Sequence, residues 1–184
     1  MKRLFVIYIS VILFMAIGPK ANAALYLEPY VASMMNTTYT TDSSDGDVSG
    51  NSVGARLGFS NMGFAVGFDG RRSNVTFAPE TGSDIDYVFT EYGLFLSYDL
   101  PMMFRIWGNY ILAGEGVESE NTDNKVKKGT GISIGVGYKV LSIISLNLES
   151  FSMKYTEAES AAGSVDNDFS SSGFLLGISL PLSI

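Results

Sequence analysis

Gly131-Ile132-Ser133-Ile134-Gly135-Val136-Gly137-Tyr138-Lys139 is the stretch on which the reading of this chain turns. Ile132, Ile134, Val136 and Tyr138 alternate one for one with Gly131, Ser133, Gly135, Gly137 and Lys139. A repeat of two is the period of a β-strand, whose successive side chains point to opposite faces. One face here is large and apolar, while the other is Gly and Ser with a single charge. The pattern returns where Phe174, Leu176, Ile178, Leu180 and Leu182 alternate with Gly177, Ser179 and Pro181.

Working outward from these two segments, the alternation predicts eight strands, near 25–36, 51–60, 63–77, 86–99, 103–115, 129–141, 143–157 and 170–183. The connections alternate in kind. Short ones fall at Ser60-Asn61-Met62, Asp99-Leu100-Pro101-Met102 and Leu141-Ser142, and long ones near 37–50, 78–85, 116–128 and 158–169. The long ones are acidic, with Asp42, Asp45 and Asp47, then Glu80 and Asp84, then Glu118, Glu120 and Asp123, then Glu159, Asp166 and Asp168. An even strand number with tight turns at one rim and extended loops at the other predicts an all-β, antiparallel, up-and-down barrel.

The apolar face is expected to hold Leu25, Leu27 and Val31; Val53, Ala55, Leu57 and Phe59; Phe64, Val66 and Phe68; Val88, Tyr92, Leu94, Leu96 and Tyr98. It continues through Phe104, Ile106, Tyr110 and Leu112, then Ile132 to Tyr138, Ile144 to Leu148 and Phe174 to Leu182. Its central parts carry no charge, as hydrocarbon would demand, since a charge there costs about 2–4 kcal/mol. Tyr98 and Tyr138 stand near the tight turns, where an aromatic girdle would lie.

The opposite face holds Glu28, Arg56, Asp69, Arg71, Glu91, Arg105, Lys139 and Glu149, four acids and four bases, among Gly54, Gly58, Gly67, Gly93, Gly135, Gly137 and Gly177. An eight-stranded barrel is only just filled by its own side chains, so charges inside it must pair. The balance of signs predicts an internal salt-bridge network. A soluble barrel with the apolar face inward would instead show a water face rich in Lys, Glu and Thr, and this polar face is Gly- and Ser-rich. The seventh strand is the irregular one. Ile144, Leu146 and Leu148 give way to Ser150, Ser152 and Lys154, which implies either a short apolar band or a bulge that flips the facing.

The first 23 residues read as a cleaved signal peptide: Met1-Lys2-Arg3, an apolar run from Leu4 to Ile17, a Gly18-Pro19 break, and the small-residue site Ala21-Asn22-Ala23. The run is too short for the roughly 20 residues of a spanning helix. Residues 24–184 then form one barrel domain, reached by export and not by a lipid-modified cysteine, because the chain has no Cys. The formal charge of −7 becomes −10 once Lys2, Arg3 and Lys20 are removed, which repels phosphate backbones and disfavours nucleic-acid binding. The mean hydropathy of +0.20 without a helical span is what a barrel produces by hiding apolar residues at alternate positions.

The signal segment, the eight-strand rhythm and the balanced interior charges together resemble small outer-membrane barrels of the OmpA transmembrane-domain, OmpX and OmpW kind. The resemblance spans residues 24–184 and rests on pattern, not on a motif. It implies an eight-stranded transmembrane barrel in the outer membrane of a Gram-negative-type bacterium, with tight turns in the periplasm and long loops outside. It implies a monomer whose partners are outer-membrane lipid or lipopolysaccharide and the barrel-assembly machinery. Such barrels commonly end in an aromatic residue, and this sequence reads Leu180-Pro181-Leu182-Ser183-Ile184 instead. No cell-wall-binding domain is expected beside the barrel.

The chain has no His. Ser-His-Asp, Cys-His and His-based metal chemistry are therefore excluded, along with the His general base on which enzymes of this fold rely. Glu91 and Glu149 are the carboxylates that could do acid–base work, and structural pairing is the preferred reading of both. Asp42, Asp45 and Asp47 suggest a divalent cation, but the spacing departs from an EF-hand loop and a solvated loop is preferred. Lys125, Lys127 and Lys128 could meet lipid phosphates, although a solvated cluster is the plainer reading. The sequence thus points to a non-enzymatic surface or structural protein with no cofactor and no metal, and a narrow pore is the alternative.

Overall fold

A computed structural model describes residues 23–41, 45–80 and 82–184. The signal segment, residues 1–22, and Asp42, Ser43 and Ser44 of the suggested cation loop lie outside the described residues. The strands are β1 (Ala24–Thr40), β2 (Asp45–Asn61), β3 (Phe64–Pro79), β4 (Ile85–Asp99), β5 (Phe104–Glu118), β6 (Lys125–Lys127), β7 (Thr130–Leu141), β8 (Ile144–Ser160), β9 (Gly163–Ser179) and β10 (Leu182–Ser183). Every neighbouring pair is antiparallel, and β1 pairs with both β2 and β9, which closes the ring. The wall therefore has eight staves. The short β6 fills the space above β7 between β5 and β8, and the short β10 continues below β9 along β1. No helix among the described residues is long and apolar enough to cross a membrane.

The eight staves fall where the alternation put them, but they are longer at one end. β2 begins at Asp45, not near 51, and β9 at Gly163, not near 170. Two of the stretches read as long acidic loops, 37–50 and 158–169, are mostly strand, and the β8–β9 turn is residues 161–162; the other two keep non-strand segments at 80–84 and 119–124. Asp45, Asp47, Glu118, Glu159, Asp166 and Asp168 thus sit on strand walls. Backbone pairing explains the correction. Each neighbour continues to the same height, as in Asp47↔Ala78 and Ala158↔Val165, so the polar segments complete their ladders with each other.

The tight turns lie at Met62-Gly63, residues 101–103 and residues 142–143. Near them the apolar residues face outward and stay exposed, among them Val31, Val53, Leu57, Phe68, Ile106, Ile134 and Ile178. Val66 shares that face by parity but is only 2% exposed, between its larger register neighbours Phe59 and Leu96. Phe64 meets Tyr98 at 4.3 Å between ring centres and Phe104 meets Tyr138 at 5.2 Å, which places an aromatic cluster at this rim. On β8, Ser150, Ser152 and Lys154 keep facing outward, so the apolar band is short there and no flip occurs before the irregularity at Tyr155/Glu157.

The interior is not Gly and Ser throughout. From mid-height to the far rim it is filled by Tyr39, Val48, Val75, Phe77, Phe89, Ile111, Phe151, Met153, Tyr155, Phe169 and Leu175. Phe77 contacts Tyr39, Phe89 and Phe169 edge-on, with centres 5.1–5.9 Å apart. A second, smaller cluster of Tyr26, Ala65 and Phe95 lies toward the tight turns. The ionic residues occupy the layer between these two.

Candidate functional site

Strand parity brings seven of the eight predicted interior charges into one layer. Glu28 comes from β1, Arg56 from β2, Asp69 and Arg71 from β3, Glu91 from β4, Arg105 from β5 and Glu149 from β8, and all seven are buried. Lys139 is the exception. It lies near the end of β7, half-exposed, with its Nζ 2.5 Å from Asp99 Oδ2 beside the tight turns. It keeps the inner parity, opposite Ser145, but its place near the tight-turn end of β7 sets it apart from the ionic layer.

Arg56 is the hub. Its Nη1 lies 3.2 Å from Glu28 Oε2, its Nη2 3.0 Å from Glu149 Oε2, and its Nε 3.9 Å from Asp69 Oδ2. Arg71 bridges Glu91 at 2.7 Å and Glu149 at 3.1 Å. Arg105 pairs with the other oxygen of Glu28 and donates from Nη1 to Tyr26 Oη at 2.6 Å. Four carboxylates thus face three guanidinium groups. Neutral donors supply the remaining contacts: Tyr30 Oη donates to Asp69 at 2.9 Å, Tyr155 Oη to Glu91 at 2.9 Å, and Trp107 Nε1 to Glu149 at 3.0 Å. The Arg56 guanidinium also lies over the rings of Trp107 and Tyr30, 4.7 and 4.9 Å from their centres.

Tyr26, Tyr30, Trp107 and Tyr155 were not among the predicted site residues. Each stands an even number of residues from a charged one on its own strand, so parity alone places it inside. The interior glycines accommodate these rings. A Cβ on Gly135 would lie 2.1 Å from the Trp107 ring, and one on Gly54 would lie 2.4 Å from the Tyr30 ring. Gly is required there for space, not for backbone freedom.

The layer leaves little room for chemistry. The adjoining cavity is about 30 Å³, lined by Arg71, Glu91, Phe89, Tyr155 and Phe169 among others, enough for a water or two. Glu91 and Glu149 share Arg71, so each carboxylate is held in an ion pair. Among the described residues no three Asp, Glu, His or Cys side chains are grouped to hold a metal ion.

Of the predicted lysine cluster, Lys127 pairs with Glu159, and Lys128 Nζ lies 2.5 Å from Glu157 Oε2. The hydrogen bond from Lys127 holds the Glu159 carboxyl below its ordinary range, and the same contact raises the Lys127 ammonium. Lys125 faces Glu159 by register.

No protein-family model matches the sequence, and no characterised protein matches it closely enough to count as a relative. Solved structures do match the fold. Neisserial surface protein A aligns over 85% of this chain and 96% of its own, with 12% identity and a TM-score of 0.55. Ail, the attachment invasion locus protein of Yersinia pestis, aligns over 87% of this chain and 99% of its own, with 12% identity and a TM-score of 0.51. The chain therefore has the fold of the small outer-membrane β-barrels.

Proposed function

We propose that this protein is a non-enzymatic barrel of the outer membrane of a Gram-negative-type bacterium, acting as a surface or structural element and not as a pore. Its tight-turn half sits in the bilayer as a monomer among lipid and lipopolysaccharide, delivered by the barrel-assembly machinery. Its far half projects an acidic, strand-built wall toward the outside. The observation that carries this reading is the double closure of the interior. The Arg56 layer and the Tyr39–Phe77–Phe89–Phe169 cluster both span the bore, and the cavity between them holds about 30 Å³. An interior without a passage leaves the outer surface as the place where function resides.

Planar-bilayer recording on the refolded protein tests this against a pore. The expected result is no discrete conductance from the wild type. Reproducible channels that vanish when Arg56 or Arg105 is neutralised would replace this reading with the pore.

A further inference from the structure

The tight-turn rim is unusually greasy for a part of the molecule that turns in water. Met62 is 88% exposed, Met102 82%, Met103 55%, Leu141 56% and Ile143 52%. Three of these also hold left-handed backbone, with φ of 51° at Met62, 63° at Met102 and 68° at Met103. Asn and Gly fill such positions at least cost, and they are the ordinary choice in a hydrated turn. A methionine there combines backbone strain with exposed hydrocarbon, so the residue type needs a reason other than turn geometry.

The height of the apolar belt supplies one. Its outward run covers seven residues or fewer on six of the eight staves, as in 25–31, 53–59, 92–98 and 174–180, and nine on the other two, 104–112 on β5 and 132–140 on β7. A strand tilted by about 40° climbs about 2.5 Å per residue, so seven residues make about 18 Å, whereas a spanning barrel carries a band about 25 Å tall. The band cannot grow toward the far rim, because Asn51, Arg72 and Thr90 follow next on that face. Counting on through the turn, Val53 to Met62 is ten residues, or about 25 Å by the same rise.

Charge points the same way. Around the turns, over 57–68, 94–106, 136–148 and 176–184, the outward and turn positions carry no charged side chain, and Asp99 and Lys139, at strand ends on the inner parity, pair with each other. Arg105, the other ion there, points inward and is buried. The rim presents no unpaired charged side chain that embedding in lipid would strip of water.

We propose that the three tight turns are themselves immersed in the nearer lipid leaflet, with Met62, Met102, Met103, Leu141 and Ile143 completing the hydrophobic span that the strands leave short. The occupant of this surface is lipid acyl chain, because the turn residues continue the belt with no charged side chain and only Asn61 and Ser142 as neutral polar interruptions. The inference rests on the membrane reading given under Proposed function.

The absence of native Cys makes single labels unambiguous. Met62→Cys, Met102→Cys and Ile143→Cys, with Leu57→Cys in the belt and Asn74→Cys on the far outer wall, are each labelled with a polarity-sensitive fluorophore. The proteins are refolded into phosphatidylcholine vesicles containing brominated acyl chains. The turn labels are expected to match position 57 in blue-shifted emission and bromine quenching, with position 74 unquenched. Quenching at 57 with water-like, unquenched emission at 62, 102 and 143 overturns this inference alone. Water-like emission at 57 as well overturns the membrane reading with it. A second arm tests the span directly. The Met62→Asn, Met102→Asn, Met103→Gly variant keeps turn-compatible residues and removes the hydrocarbon. Its preferred bilayer should shift from dioleoyl toward the thinner dilauroyl phosphatidylcholine, and an unchanged preference overturns the proposal.

Discussion

Along β2, Phe59, Leu57, Ala55 and Val53 face outward and Gly58, Arg56 and Gly54 inward; eight residues on, Asp47 and Ser49 face outward and Val48 inward. β3 makes the same exchange, from Phe68 outside and Asp69 inside to Asn74 outside and Val75 inside. The tight-turn half is inside out and the far half is built like a soluble barrel, although β2 and β3 and their period of two run unbroken through both. Surroundings, not the strands themselves, assign the two faces. In the far half water is outside, and burying Phe77, Phe89 and Phe169 gains the usual hydrophobic stabilisation. In the tight-turn half lipid is as apolar as any core, so packing Leu against Leu across the interior would gain little. Cohesion there falls to buried ion pairs and hydrogen bonds.

The most damaging way to probe this contrast is to remove the hub of the ionic layer. Arg56→Met leaves Glu28, Asp69 and Glu149 facing each other with one guanidinium fewer. It is expected to cost about 3–5 kcal/mol. Adding Glu149→Gln should recover part of that loss, because it removes one of the stranded charges. Urea titration of the bilayer-refolded protein, followed by heat-modifiable migration on gels, reads both effects. A single variant within about 1 kcal/mol of wild type would mean that the tight-turn half does not depend on its charges.

A smaller effect sharpens where the two halves meet. Leu57→Lys puts a charge on the belt and should cost about 2–4 kcal/mol in bilayers. Asn74→Lys, on the outer wall where Asn74 faces Asn51 by register, should stay within about 0.5 kcal/mol. The same urea titration compares them. Equal costs would erase the boundary drawn here between lipid-facing and water-facing wall.

This exchange of faces also decides what could be read from the sequence. The staves, their order and the tight turns were legible because apolar-out alternation is strong in Val53–Phe59, Ile132–Tyr138 and Phe174–Leu180. Glu28, Arg56, Asp69, Arg71, Glu91, Arg105 and Glu149 were legible because a charge on the inner parity of a narrow barrel has one place to go. The far half was not. There the polar residues move outside, so a search for an apolar outer face reads Asp45–Ser49 and Gly163–Phe169 as loop. The aromatic plug was missed for the same reason: Phe77, Phe89 and Phe169 sit on the inner parity, which near the tight turns carries ions. Lys139 shared that parity too, but it stands too near the end of its strand to join the ionic layer.

The far half is held at its surface by contacts of a weaker kind, and the pairing of β6 offers the smallest and most selective test. β6 is three residues long and lies between β5 and β8, with Lys127 bonded to Glu159. Because that contact lowers the Glu159 carboxyl in the folded state, its contribution is present above the unfolded value of about 4.5 and is lost as pH falls through the lower folded value. Lys127 is raised, so its own contribution persists below its unfolded value and fades only as pH rises through the folded one, in the alkaline range. Both groups are solvated, which keeps the effect on global stability slight. The expected outcome is local. On acidification below about 4.5 the Val126 amide should lose hydrogen-exchange protection, while amides of the buried ionic layer, such as that of Arg56, keep theirs. Glu159→Gln should show the lower protection at every pH and no acid transition. A transition of undiminished size in Glu159→Gln would assign the sensitivity to another carboxylate. Simultaneous loss at Val126 and Arg56 would mean that the two halves unfold as one unit.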